Sequence, residues 1–296
     1  MTDEAGDGSA AGDRVQAGDG GQAGDPLPPP DRAEVAALRA AHAHVLASIA
    51  DAAQRVGRDP ATVTLVAVSK TVPAPRVRAA VAAGIVTLGE NRVQEAAEKI
   101  PIVPGARWHL VGPLQANKAR RALELFDVIE AVDSPELARR LDRIARELRG
   151  LPASGPVPSH LRARVLLEVN VDRDPAKAGF DSDDLAARLP EVEALEALDL
   201  DGLMTIGRFA GTPDEARATF VALRRLSERL RARPGTRLGD ALSMGMSGDY
   251  PAAVEEGATI VRVGTAIFGE RHRAAEGDAG VGPHDRDATA GDRRPR

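Results

Sequence analysis

Residues 62–71 read TVTLVAVSKT, from Thr62 to Thr71. Aliphatic and β-branched residues in one short unbroken run fit a strand buried on both faces. Beyond it, apolar residues return at helical spacing around Val77–Val81. The turn between these two segments decides between two α/β architectures. An open doubly wound sheet usually places a glycine-rich turn after its first strand, so that the backbone can approach a dinucleotide. Here the strand over Thr62–Ser69 passes directly into Ser69-Lys70-Thr71.

Outward from this stretch, β-rich runs alternate with helical ones. Further strands are predicted at Val86–Gly89, Trp108–Gly112, Val128–Val132, Arg164–Asn170, Gly202–Thr205, Ala241–Met244 and Ile260–Val263. Helical stretches lie at 92–100, 117–126, 135–149, 183–197, 214–232 and 249–256. Strict alternation implies parallel pairing. Eight such units in roughly 240 residues point to a single (β/α)8 TIM barrel. A helix from an Asp31 cap to about Arg58 precedes the first strand as an extra element. The Pro-rich segment from Gly150 to His160 reads as a surface connection.

The ends differ from the middle. Residues 1–30 are mostly Gly, Ala, Asp and Pro, and residues 273–296 carry Val281 as their sole large apolar side chain. Such segments bury too little surface to offset their ordering entropy. The expected division is therefore a disordered tail over 1–30, a barrel over 31–272, and a second disordered tail over 273–296. Aromatics make up 2% of the chain, so the core must be built from Val, Leu, Ile and Ala. With a formal net charge of -5 and no basic stripe, nucleic acid is not expected as a partner. The absence of cysteine excludes disulfides, thiolate metal sites and a cysteine nucleophile. No metal site is expected. The acidic N-terminus lacks the pattern of a secretory signal, and no apolar run approaches the roughly 18 residues of a membrane span. The expected location is the cytoplasm. Walker A and H-E-x-x-H patterns are absent, and Gly245–Asp249 departs from G-x-S-x-G at its fifth residue. His42 and His44, two apart on a helix, point to different faces.

In a barrel, chemistry gathers at the C-terminal ends of the strands. The last two strands run into Ser243-Met244-Gly245-Met246-Ser247-Gly248-Asp249 and Arg262-Val263-Gly264-Thr265. Small residues, hydroxyls and backbone N–H groups in these loops suit a phosphate. The same residues also serve ordinary turns. The first strand delivers Lys70, whose ammonium is expected at a dry barrel mouth, where desolvation favours the neutral, nucleophilic amine. For a lone lysine, a surface ion pair is the ordinary reading. A phosphate site and the cationic Arg262 converging on one mouth change that balance. A single ligand uses all three: an aldehyde for Lys70, a phosphate for the last two loops, a ring nitrogen for Arg262. Pyridoxal 5'-phosphate (PLP) fits.

At these residues the sequence resembles the pyridoxal phosphate homeostasis proteins, single-barrel relatives of the alanine racemase N-terminal domain. The matching segments run in order from Val66-Ala67-Val68-Ser69-Lys70 through Gly89–Glu95 and Trp108–Lys118 to Val169-Asn170-Val171 and Lys177-Ala178-Gly179-Phe180. Leu242–Ser247 and Val261–Gly269 complete the set. The resemblance implies that Lys70 carries the Schiff base. It implies that Ser247, Gly264 and Thr265 hold the phosphate, that Arg262 faces the pyridine nitrogen, and that Asn91 lies near the ring. His109 is expected to line the mouth or to be a satisfied barrel histidine. The chain departs from the family pattern at Pro113, where many members have His, at Arg92, where Tyr is common, and at Gly207-Arg208.

An arginine at the ring nitrogen opposes its protonation and makes the ring a weaker electron sink. A two-base racemase needs an acid/base on each face of the substrate carbon. No second domain is expected here to supply one, and the single tyrosine, Tyr250, reads as a packing residue. The first expectation is a PLP-binding carrier serving vitamin B6 homeostasis and delivering PLP to apo-enzymes, with no catalytic residue. A weak amino-acid racemase and an adaptor barrel with a vestigial site are the alternatives. The expected state is a monomer.

Overall fold

The computed structural model describes residues 28–207 and 212–269. The expected tails lie outside these residues except for Pro28–Pro30, and so does Arg208. An N-terminal helix α1 (Arg32–Arg55) comes first. The units β1 (Thr64–Val68), α2 (Ala74–Ala82), β2 (Thr87–Glu90), α3 (Val93–Lys99), β3 (Arg107–Leu110) and α4 (Ala119–Leu125) follow. Then come β4 (Val128–Val132), α5 (Pro135–Leu148), β5 (Ala163–Glu168), α6 (Ser182–Glu193), β6 (Leu198–Met204) and α7 (Pro213–Arg231). β7 (Ala241–Ser243), α8 (Tyr250–Glu255), β8 (Ile260–Val263) and the short α9 (Thr265–Phe268) complete the order. The eight strands pair in sequence, all parallel, and β8 closes on β1 through the register Val66↔Arg262. The expected (β/α)8 barrel with an extra N-terminal helix is the observed fold.

Local chemistry sets the element ends. The Asp31 carboxylate accepts from the Ala33 amide (3.0 Å) and caps α1, and the Ser134 hydroxyl accepts from the Leu137 amide (3.3 Å) at α5. Leu38, Val45 and Ile49 of α1 are buried, and the helix packs on α2, α8 and α9. Each such side chain contributes about 2 kcal/mol on burial.

Two differences from the sequence reading have physical causes. The sixth strand begins at Leu198, not Gly202. Asp199 and Asp201 break its apolar run, yet they alternate with buried Leu198 and Leu200, and Asp201 pairs with Arg164 of β5 (2.7 Å). α9, which the sequence reading did not anticipate, is a single turn, too short for an amphipathic pattern.

The core has two parts. Most of it lies between the strands and the surrounding helices. A smaller cluster of Val128, Ala131, Leu166 and Met204, with Ile206, Ala241 and Ile260 against it, forms a separate part. Side chains two apart on a strand share a face. One step toward the mouth from Val128, Leu166, Ala241 and Ile260 stand Glu130, Glu168, Ser243 and Arg262. The interior is thus an apolar floor beneath a polar storey.

Candidate functional site at the barrel mouth

Lys70 follows β1 by two residues, and with Val66 and Val68 it shares the strand's inward parity. It is exposed and makes no hydrogen bond or ion pair among the described residues. The dry surroundings expected for it are therefore not found. Its neighbours are held tightly instead. Ser69 is fully buried, and its hydroxyl donates to Glu90 Oε1 (2.7 Å). The buried Lys99 ammonium donates to the Ser69 carbonyl (2.8 Å), to Glu90 Oε1 (2.7 Å) and to Glu95 Oε1 (2.7 Å). Glu95 Oε1 also accepts from the Thr71 amide (2.5 Å). Thr71 has φ 63°, a left-handed conformation that costs a β-branched residue about 1–2 kcal/mol. Burial pushes the Glu90 carboxyl above its ordinary range, opposed by hydrogen bonds from Lys99 and Ser69.

Across the mouth, Arg262 is 4% exposed. It donates through Nη1 to Ser243 Oγ (2.6 Å) and through Nη2 to the Thr205 carbonyl (2.7 Å). Ser243 Oγ donates in turn to Glu130 Oε2 (2.5 Å), and the other oxygen of Glu130 meets His109 Nδ1 (2.6 Å). Burial alone would raise Glu130, but the contacts from His109, Arg262 and Ser243 hold it below the ordinary carboxylate range. His109 is thereby a satisfied barrel histidine. Glu168 is different. It is 6% exposed and its carboxylate makes no hydrogen bond among the described residues. Burial, reinforced by Asp133 and opposed by Arg262, pushes it up to about 7.

The loops after β7 and β8 meet directly, since the Gly264 amide donates to Ser247 Oγ (3.1 Å). A Cβ on Gly264 would sit 3.2 Å from the carbonyl of Val68, two residues before Lys70. Gly245 starts its loop at φ 90°, and a Cβ there would stand 2.5 Å from that of Ala253. The Asp249 carboxylate accepts from the Met246 amide (2.6 Å) and ties the turn. Thr265 is exposed at the first turn of α9. Asn91, half-buried beyond β2, lies so close to Gly112 that a Cβ there would be 2.6 Å from the Asn91 carbonyl. A cavity of about 190 Å³ at the ends of β5 and β6 is lined by Glu168, Asn170, Lys177 and Ile206 among others. A larger one of about 420 Å³, lined by Glu34, Leu38, Arg76 and Ile267 among others, lies on the flank of α1 and contains none of the expected site residues.

Lys70, Arg262, Ser247, Gly264 and Thr265 thus sit on the adjoining ends of β1, β7 and β8, with Asn91 next along the rim. Lys99, Glu95, Glu130 and Glu168 were not singled out from the sequence. The signal for two of them was present: a carboxylate inside VIEAV (128–132) and one ending ARVLLE (163–168) interrupt otherwise apolar strands.

A closed parallel barrel with a polar upper interior and a lysine at its rim defines a single-barrel protein of the alanine racemase N-terminal type. Residues 42–272 match the family described as "Alanine racemase, N-terminal domain". The pyridoxal phosphate homeostasis protein of Pseudomonas aeruginosa is 43% identical over 240 residues, covering 79% of this chain and 95% of that protein. Its Escherichia coli K12 namesake is 39% identical over 246 residues, covering 77% and 96%. PipY of Synechococcus elongatus, solved with PLP bound, has 44% identity and a TM-score of 0.63, covering 75% of this chain and 100% of that one. An alanine racemase of Clostridium difficile, at 17% identity and a TM-score of 0.57, shares the fold over 80% of this chain and 56% of its own. The chain belongs to the alanine racemase N-terminal domain family and, within it, to the pyridoxal phosphate homeostasis proteins.

Proposed function

We propose that this protein binds PLP at the barrel mouth, holds it as a Schiff base on Lys70, and delivers it to apo-enzymes. The observation that carries the reading is the adjacency of three chemistries: Lys70, which has no partner among the described residues, the hydroxyl–amide pair of Ser247 and Gly264, and the buried Arg262. The donor set fits the group. The Ser247 hydroxyl, which accepts from the Gly264 amide and keeps its own proton to donate, and the Thr265 hydroxyl suit a phosphate, and Gly264 leaves no side chain in the way of its approach. Arg262 would face the pyridine nitrogen and Asn91 the ring. When bound, PLP supplies an aldehyde that condenses reversibly with amines. Lys70 would be the residue that bonds to that aldehyde, with loss of one water. Arg262 opposes a proton on the ring nitrogen, which suits storage over transformation.

PipY, the relative solved with PLP bound, and the pyridoxal phosphate homeostasis proteins support this reading. No helix among the described residues is long and apolar enough to cross a membrane. A monomer in the cytoplasm is part of the proposal. The test is the absorption spectrum of the protein given PLP, with borohydride trapping and peptide mass mapping. Wild type should show a band near about 420 nm, and Lys70→Ala should lose it together with the trapped mass on the Lys70 peptide. An unchanged band in the variant would remove Lys70 from its role. Loaded protein mixed with a PLP-dependent apo-enzyme should restore that enzyme's activity faster than the free PLP it releases.

The second reading is a weak amino-acid racemase. Glu168, a buried carboxyl near neutrality at the mouth, is the observation on its side. Loss of α-deuterium from amino acids on the loaded protein, abolished in Glu168→Gln, would favour it.

A further inference from the structure

Behind the barrel wall, between β2 and α3, three charged side chains meet around the two peptide units that flank Lys70. Lys99 is 6% exposed and Glu90 fully buried. The Lys99 ammonium clamps the Ser69 carbonyl on one side of Lys70, and Glu95 Oε1 accepts from the Thr71 amide on the other. Lys99 also donates to that same Glu95 oxygen, so both anchors share one ion cluster. Directly after the second anchor the backbone turns into the left-handed conformation at Thr71, with no glycine to ease it. A strained residue persists where its surroundings over-determine it, and such strain gathers at functional positions. None of these groups lies among those assigned to the phosphate or the ring.

We propose that Glu95, locked by Lys99, is a positioning residue for Lys70: it fixes the Ser69-Lys70-Thr71 turn so that the amine projects over the mouth toward the Ser247–Gly264 loops. The inference rests on the PLP reading. Lys70 is exposed, and its four-carbon side chain is flexible, so only its backbone can direct it. The cluster pre-organises that backbone and reduces the ordering left for the moment of bonding.

The prediction separates bond formation from docking. 4'-Deoxypyridoxine 5'-phosphate carries the ring and the phosphate but no aldehyde, so its affinity reports the rest of the site without Lys70. The Glu95→Ala variant should form the trapped Lys70 adduct with PLP at least about tenfold more slowly, while its affinity for the deoxy analogue stays within about twofold of wild type. Glu95→Gln, whose amide oxygen can still accept from Thr71 and Lys99, should recover most of the rate. Glu95 is partly exposed, so replacing it spares the deepest part of the cluster; a thermal melt confirms folding. Equal losses for PLP and the analogue in Glu95→Ala would make the cluster a merely structural one and overturn the proposal. So would an unchanged trapping rate. Failure of wild type to bind either compound would instead overturn the PLP reading.

Discussion

At the scale of single residues, the barrel interior carries charges that a packed core would not. Glu168 has no hydrogen-bond partner among the described residues, and burial pushes its carboxyl up to about 7. From the ordinary carboxylate range up to that value, the folded protein holds a proton that the unfolded chain has released. Stability therefore falls as pH rises through this window and levels off above it. Glu168→Gln removes the effect. The variant should match wild type near pH 5 and be more stable by about 2–3 kcal/mol at pH 8, as read by urea unfolding at both values. An unchanged difference between the two pH values would mean that the carboxyl is not penalised by burial. The position of Lys70, Arg262, Ser247, Gly264 and Thr265 at the mouth was legible because each lies in or just beyond the end of a strand the sequence itself reveals. Glu95 and Lys99 were not, because their partners are the backbone atoms of Ser69 and Thr71, and nothing in the order of residues shows which peptide units face them.

At the scale of elements, the strands were easier to read than their limits. β4 and β8 have the bounds expected from the sequence, since each begins and ends on Val or Ile. β6 was half hidden, because two aspartates at its start read as loop until the neighbouring Arg164 is seen beside one of them. The β7–α8 connection was read as a phosphate loop from its small residues and, above all, from its position after the seventh strand of a barrel, and its geometry gives that reading a physical test. Gly245 combines a positive φ with a forbidding distance to Ala253. Gly245→Ala should destabilise the protein by about 2 kcal/mol and weaken PLP binding, because the loop that carries Ser247 must shift. Calorimetry and a PLP titration read the two effects. A stable variant with unimpaired binding would show that the loop adapts, and would weaken its assignment as a phosphate cradle.

At the scale of the whole molecule, the proposed boundaries of 31–272 make a simple prediction. A chain of those residues should melt within about 3 °C of the full-length protein and bind PLP equally well. A larger drop would mean that residues 1–30 or 273–296 contribute to the barrel. The polar storey of the interior has a mechanical consequence for the same molecule. His109, Glu130, Ser243 and Arg262 lace strands β3, β4, β7 and β8 together across the lumen, like spokes that fix the diameter of a rim. A rim braced from within does not have to tighten around an arriving guest. Its strands should keep the same slow amide exchange with the mouth loaded or free, and any adjustment on loading should be confined to the loops above them.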